Sequence, residues 1–141
     1  MRRGSFEHKR VGLADIVTRG GYDFARRPDE TEDAFCGRLL QCNAATVIRY
    51  ALAMHGGQEF PPVVITSREN ENALHDGQRR CTAAALLGRE DIAAVVFHVS
   101  TDAEEELVST LASQLSEGGV HWTKAVRSIR DELAAQCTVS A

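Results

Sequence analysis

Two adjacent arginines follow an Asp-Gly turn in this chain, Asp76-Gly77-Gln78-Arg79-Arg80. A glycine that frees backbone N–H groups at the start of a helix makes an oxyanion site, and guanidinium groups strengthen it. The alanine-rich run Arg79–Leu87, closed by Gly88, reads as the helix behind the turn, with Gly88 in the left-handed position that ends it. Cations at a helix N-terminus oppose the dipole by about 0.3–1 kcal/mol. A bound phosphate offsets that cost, and so does a neighbouring carboxylate. Phosphate binding and structural ion pairing are therefore the two readings of Arg79 and Arg80. Asp76 has two readings as well: a ligand to Mg²⁺ beside a phosphate, or a side-chain cap on the helix.

The other residues with chemical potential read more plainly. Cys36, Cys42, Cys81 and Cys137 are scattered, with no C-x-x-C pair and no histidine at zinc-ligand spacing, and read as reduced thiols. His75, His98 and His121 stand alone. Lys124, Arg127 and Arg130 recur every third residue. They could meet a phosphate backbone or an acidic partner, but Asp131 and Glu132 dilute the stripe towards a solvated face.

The elements that must position the turn follow from periodicity. Val11, Leu13 and Ile16 mark a first strand within Lys9–Val17, and Thr18–Asp29 reads as a loop. Acidic residues at 29–32 open a helix carrying Phe35, Leu39 and Leu40. Val47, Tyr50, Ala51 and Met54 give a second helix, with Asn43 breaking the first or capping the second. Pro61-Pro62 forces an extended lead into the strand Val63–Thr66, and Asn72–His75 returns as a hairpin partner. Ile92–Val99 reads as a buried strand. Thr101 and Glu104 match a capping box before a helix striped by Leu107, Leu111 and Leu115, and Trp122–Ala135 reads as a last helix. The fold class is α/β (α+β), a small mixed sheet covered by helices.

At 141 residues the chain suits one domain. We divide it into a flexible N-terminus at 1–8, a domain at 9–117 and a C-terminal helix within 118–141 that packs on or extends from it. A net charge of -4 argues against general nucleic-acid binding. No run reaches the ~20 apolar residues that span a bilayer, and the first residues lack a signal-peptide core. A cytoplasmic protein with no membrane partner is expected.

Four stretches, in order, resemble the ParB N-terminal domain, the family that shares its fold with sulfiredoxin. Val11-Gly12-Leu13-Ala14-Asp15-Ile16 is similar to its opening "V-x-L-x-x-I", and Pro62-Val63-Val64-Ile65 to "P-I-V-V". Asp76-Gly77-Gln78-Arg79-Arg80-Cys81-Thr82-Ala83-Ala84 is similar to "x-G-E-R-R-x-R-A-A". Gly88–Val96 is similar to the "G-x-x-x-I-P-A-x-V" that follows. Gln78 replaces the glutamate of that pattern and stands where sulfiredoxin has its cysteine. Thr82 replaces a third arginine, and Ser113 and Gln114 fall where ParB carries "E-N-x-Q-R". A chain of this length is expected to lack the helix-turn-helix and dimerisation parts of ParB.

The resemblance implies a nucleotide-binding fold. Gly77 and nearby amides would line the phosphates, Arg79 and Arg80 would neutralise them, and Asp76, Gln78, Thr82, Ser113 and Gln114 complete the expected site. The ligand would be a nucleoside triphosphate with Mg²⁺, with Asp76 as the metal ligand. Serine-kinase relatives place a carboxylate base in the region of Glu30 and Glu32, which could activate a hydroxyl. A helix start that favours acids explains these two glutamates equally well. The leading expectation is nucleotide or phosphate binding, with weak NTP hydrolysis or phosphoryl transfer. The alternatives are a non-enzymatic module bound to DNA or to a protein partner, and a nuclease. The nuclease reading lacks a clear carboxylate pair for two metals.

Overall fold

The computed structural model describes residues 5–18, 20–117 and 131, with side chains described through residue 113 and at 131. Five strands form one mixed sheet: β1 Phe6–Gly12, β2 Ile16–Val17, β3 Val63–Arg68, β4 Glu71–Asp76 and β5 Asp91–His98. Their order is β1-β5-β3-β4-β2. The β3–β4 hairpin is antiparallel, β3 and β5 run parallel at the centre, β1 joins β5 antiparallel, and β2 joins β4 parallel. Four helices complete the described fold: α1 Glu32–Leu39, α2 Ala44–His55, α3 Gln78–Leu86 and α4 Asp102–Glu117.

Alternation along the central strands divides the core between two faces. Val63 and Ile65 of β3 and Ala94 and Val96 of β5 meet α1, α2 and α3 residues, among them Leu39, Val47, Met54 and Cys81. Val64, Val95 and Phe97 turn the other way, onto Val108 and Ala112 of α4. Both faces of β3 and β5 are buried, which is why these strands read as continuous apolar runs. Alanines at 83, 84 and 85 let α3 lie close to the sheet, and all three are buried.

The N-terminal strand starts earlier than the sequence suggests. It begins at Phe6, pairs with Phe97 of β5, and places the two rings 5.6 Å apart. Pairing and ring packing recruit Phe6–His8, which carry little strand signal of their own. A three-residue 3-10 turn, Leu13–Asp15, then separates β1 from β2. The final helix expected at Trp122–Ala135 lies outside the described residues, Asp131 excepted.

Cys81 lies on the buried face of α3 with no solvent exposure, and burial pushes its thiol up to about 12. The fold holds it neutral, so its contribution is full below the usual thiol value of 9.0 and is lost as pH rises towards 12. Native protein at pH 8 is therefore expected to leave Cys81 unmodified by a disulfide reagent while exposed Cys42 reacts. Peptide mapping of the labelled cysteines checks this; rapid Cys81 labelling in folded protein would contradict it.

Candidate functional site

α3 starts without a side-chain cap. Its N-cap is Gly77, at φ +111°, and the first helical bond runs from the Cys81 N–H to the Gly77 carbonyl at 2.9 Å. The first turn, with the amides of Gln78 and Arg79, is left for an outside acceptor. α2 starts in the same way. Asn43 occupies its N-cap in the left-handed region, φ 56°, again with no side-chain cap bond. The other two helices are capped in the ordinary manner: Thr31 accepts from Ala34 N–H, and Thr101 accepts from Glu104 N–H. The two uncapped starts border one cleft of about 530 Å³, lined by Asn43, Tyr50, His75 and Asp76–Arg80 among others. Two positive dipole ends thus meet at one cavity.

The arginine pair divides in function. Arg80 is buried. Its Nη1 donates to the carbonyls of Pro61 at 2.5 Å and Pro62 at 3.0 Å, and its Nη2 donates to Asp76 Oδ2 at 3.0 Å. It ties α3 to the lead-in of β3, which is the structural reading. Arg79 is exposed and lines the cleft. It has no hydrogen-bond or ion-pair partner among the described residues. One residue apart on a helix means about 100° of rotation, enough to turn one guanidinium inward and the other to the cavity.

Asp76 does not cap α3; its carboxylate goes to Arg80 instead, one helical turn away. It still lines the cleft, and its Oδ1 has no hydrogen-bond partner among the described residues. Gln78 is exposed at the cleft. The Thr82 hydroxyl donates to the Gln78 carbonyl at 2.8 Å and faces an adjoining smaller cleft rather than the first. α4 presents Ser109 to the main cleft. Ser113 is exposed one turn further on. Gln114 lies on α4, with its side chain outside the described residues.

Glu30 and Glu32 stand apart from this cleft. Arg38 donates to Glu30 from Nε at 2.8 Å and Nη2 at 2.9 Å, and also reaches the carbonyls of Asp23 and Ala25. The Arg38 guanidinium holds the Glu30 carboxyl down to about 2. So low a pKa leaves a poor proton acceptor at neutral pH, and the pair instead pins the loop before α1 to the last turn of that helix. Glu32 is exposed in the first turn of α1, where the dipole favours an acid. The Glu30 contribution to stability is full above 4.5 and is lost as pH falls from there through about 2. In urea titrations from pH 7 to pH 2, the stability gap between wild type and Glu30→Gln is expected to close as pH falls. A gap constant with pH would contradict this ion pair.

Sequence reading missed Asn43 and Tyr50, from the start and middle of α2, and Ser109 of α4, which reach the cleft from two separate elements. It also missed the setting of His75. A register shift between Val64 and Ile65 leaves His75 as the extra residue of β4. Its Nε2 lies 2.7 Å from Oγ1 of buried Thr66. Bulges of this kind re-aim a side chain, and here His75 joins the cleft wall.

Among the described residues, no group of three or more His, Cys, Asp or Glu side chains converges as a metal site, and no helix is long and apolar enough to cross a membrane. No family model and no curated protein matches the chain. A solved structure of a Pnob8-like ParB-N domain is similar, at TM-score 0.49 and 10% sequence identity, over 96% of this chain and 48% of that one. The chain thus spans about half the length of that structure.

Proposed function

We propose that the cleft at the start of α3 binds the phosphate groups of a nucleoside triphosphate. One observation carries this reading: Arg79, without a partner among the described residues, stands at a cleft bordered by two uncapped helix N-termini. Backbone N–H groups, two dipole ends and a guanidinium all favour an oxyanion. Gln78 and Ser109 add polar side chains at the wall. Mg²⁺ takes one or two carboxylates together with phosphate oxygens and water, so Asp76, through its second oxygen, suits such an ion. Mg²⁺ would supply charge neutralisation for the bound polyphosphate. Arg80 acts here by holding Asp76 and the turn in place. DNA offers the same oxyanion in its backbone, but the net charge of -4 places nucleic acid second.

Thermal shift and calorimetry with tripolyphosphate and with nucleoside triphosphates, each with Mg²⁺, test the reading. Stabilisation by millimolar ligand is expected. Arg79→Ala should weaken binding by about tenfold or more, the worth of a charge-assisted hydrogen bond, and leave the unliganded melting temperature within about 2 °C of wild type. No stabilisation by any of these polyphosphates, or binding indifferent to Arg79→Ala, overturns it.

A further inference from the structure

Ser109 reaches the main cleft from the helix on the far side of the sheet. α2 and α3 pack on one face, against Val63, Ile65, Ala94 and Val96. α4 packs on the other, where Val108 and Ala112 meet Val64, Val95 and Phe97. Ser109 nevertheless lines the same cavity as Gln78 and Arg79. Val108 beside it and Ala112 one turn on are both buried, which locks α4 against rotation and fixes the position of the seryl group.

The Ser109 hydroxyl is uncommitted. A serine inside a helix commonly donates to the carbonyl four residues back or turns out to water. Ser109 is half-buried and has no hydrogen-bond partner among the described residues. Thr18, the other aliphatic hydroxyl of the cleft, is occupied: it accepts from the Tyr22 N–H at 2.7 Å and donates to the Tyr22 carbonyl at 3.2 Å. Tyr50, the remaining hydroxyl, stands on α2 and packs on the same sheet face as α3. A phosphate held through its oxygens by the α3 amides and Arg79 turns the opposite side of its phosphorus to the α4 wall. A nucleophile must approach roughly in line with the leaving oxygen, and Ser109 is the hydroxyl on that wall.

We propose that the chain transfers the terminal phosphoryl group of a bound nucleoside triphosphate to its own Ser109. This rests on the phosphate reading above and deepens it by naming the acceptor. Ser109 Oγ forms a bond to the γ-phosphorus as the bond from that phosphorus to its bridging oxygen breaks. Nucleoside diphosphate leaves with the electron pair, and the hydroxyl proton passes to solvent. The transition state is loose, so positioning and charge neutralisation count for more than a strong base. Phosphoserine adds a charge of about −1.5 to −2, and α4 carries no Lys or Arg between residues 102 and 117 to meet it. The new phosphate turns instead to Arg79 and the open start of α3, the place that the phosphates of a second nucleotide need. The reaction is a single turnover that closes its own site.

The full chain incubated with Mg²⁺ and each nucleoside triphosphate, labelled in the γ-phosphate, tests this by intact mass and peptide mapping. Up to one phosphoryl group per chain, on Ser109, is expected, and none from label in the α-phosphate. Ser109→Ala should lose the label. Ser109→Thr keeps a hydroxyl and should retain labelling at that position. Purified phosphorylated protein should bind tripolyphosphate at least about tenfold more weakly than unmodified protein. Nucleotide binding in calorimetry without incorporation overturns the inference and leaves the phosphate site standing. Label on Tyr50 or any other residue, or label retained in Ser109→Ala, also overturns it. Unchanged tripolyphosphate affinity after phosphorylation overturns the closure. Failure of every polyphosphate to bind wild type removes both readings.

Discussion

Arg80→Ala is expected to destabilise the protein by about 2–4 kcal/mol, a fall in melting temperature on the order of 10 °C. The side chain is 11% exposed and its partner Asp76 is 20% exposed. Removing the guanidinium strands one largely buried carboxylate and withdraws the donor from the Pro61 and Pro62 carbonyls. A buried acceptor left unpaired costs its desolvation energy as well as the lost bond. The range stays below that for a fully buried pair because Asp76 keeps some water. Arg80→Lys should rescue little, since one ammonium cannot reproduce a fork that serves three oxygens on two sides. In a double-mutant cycle, Asp76→Asn should cost much less in the Arg80→Ala background than alone. A loss under 0.5 kcal/mol for Arg80→Ala, in roughly the range of a surface change, would contradict this role. Chemical denaturation midpoints provide the measurement.

Gly77→Ala is the second large effect, about 2–5 kcal/mol, and it has two separable causes. The backbone at φ +111° is a conformation that a Cβ disfavours, worth about 1–2 kcal/mol. The added Cβ would also stand 2.4 Å from Val63 Cγ1 and 2.8 Å from Val63 Cβ. Val63 is fully buried in β3, so relief requires a shift of packed core, about 1–3 kcal/mol more. Gly57 provides the control. Its φ is +92°, and nothing lies within 4 Å of its notional Cβ, so Gly57→Ala should show the backbone cost alone. Val63→Ala removes the nearer clash but not the one at Cβ, and should recover only part of the packing cost. Equal losses for Gly77→Ala and Gly57→Ala would rule out the steric component. Both experiments probe the same joint: glycine lets α3 start against β3, and Arg80 locks it there.

Much of this joint was legible in the sequence because it is local. A glycine after an aspartate, then two arginines, then alanines, specifies a turn and a closely packed helix within a dozen residues. The central strands were legible too, since burial on both faces writes a continuous apolar run into β5. Two kinds of feature were not. The first is direction. Arg79 and Arg80 are equivalent in composition, and only the placement of Pro61 and Pro62 decides which guanidinium turns inward. The second is convergence. Asn43 and Tyr50 of α2 and Ser109 of α4 are far apart in sequence and share a cavity because the fold brings both helices to the end of β4. Glu30 shows both at once: its acid role depends on Arg38, eight residues on, which nothing in local spacing singles out.

The sheet order bears on how the chain is made. Strands β3 and β4 are neighbours in sequence and can pair as soon as both exist, but the partner of Phe6 is Phe97. At about 5–20 residues per second of synthesis, β1 waits roughly 5–20 s on the ribosome before its mate emerges. Its run Glu7-His8-Lys9-Arg10 keeps that waiting segment well hydrated, at little cost to the finished sheet, where β1 lies outermost in the strand order.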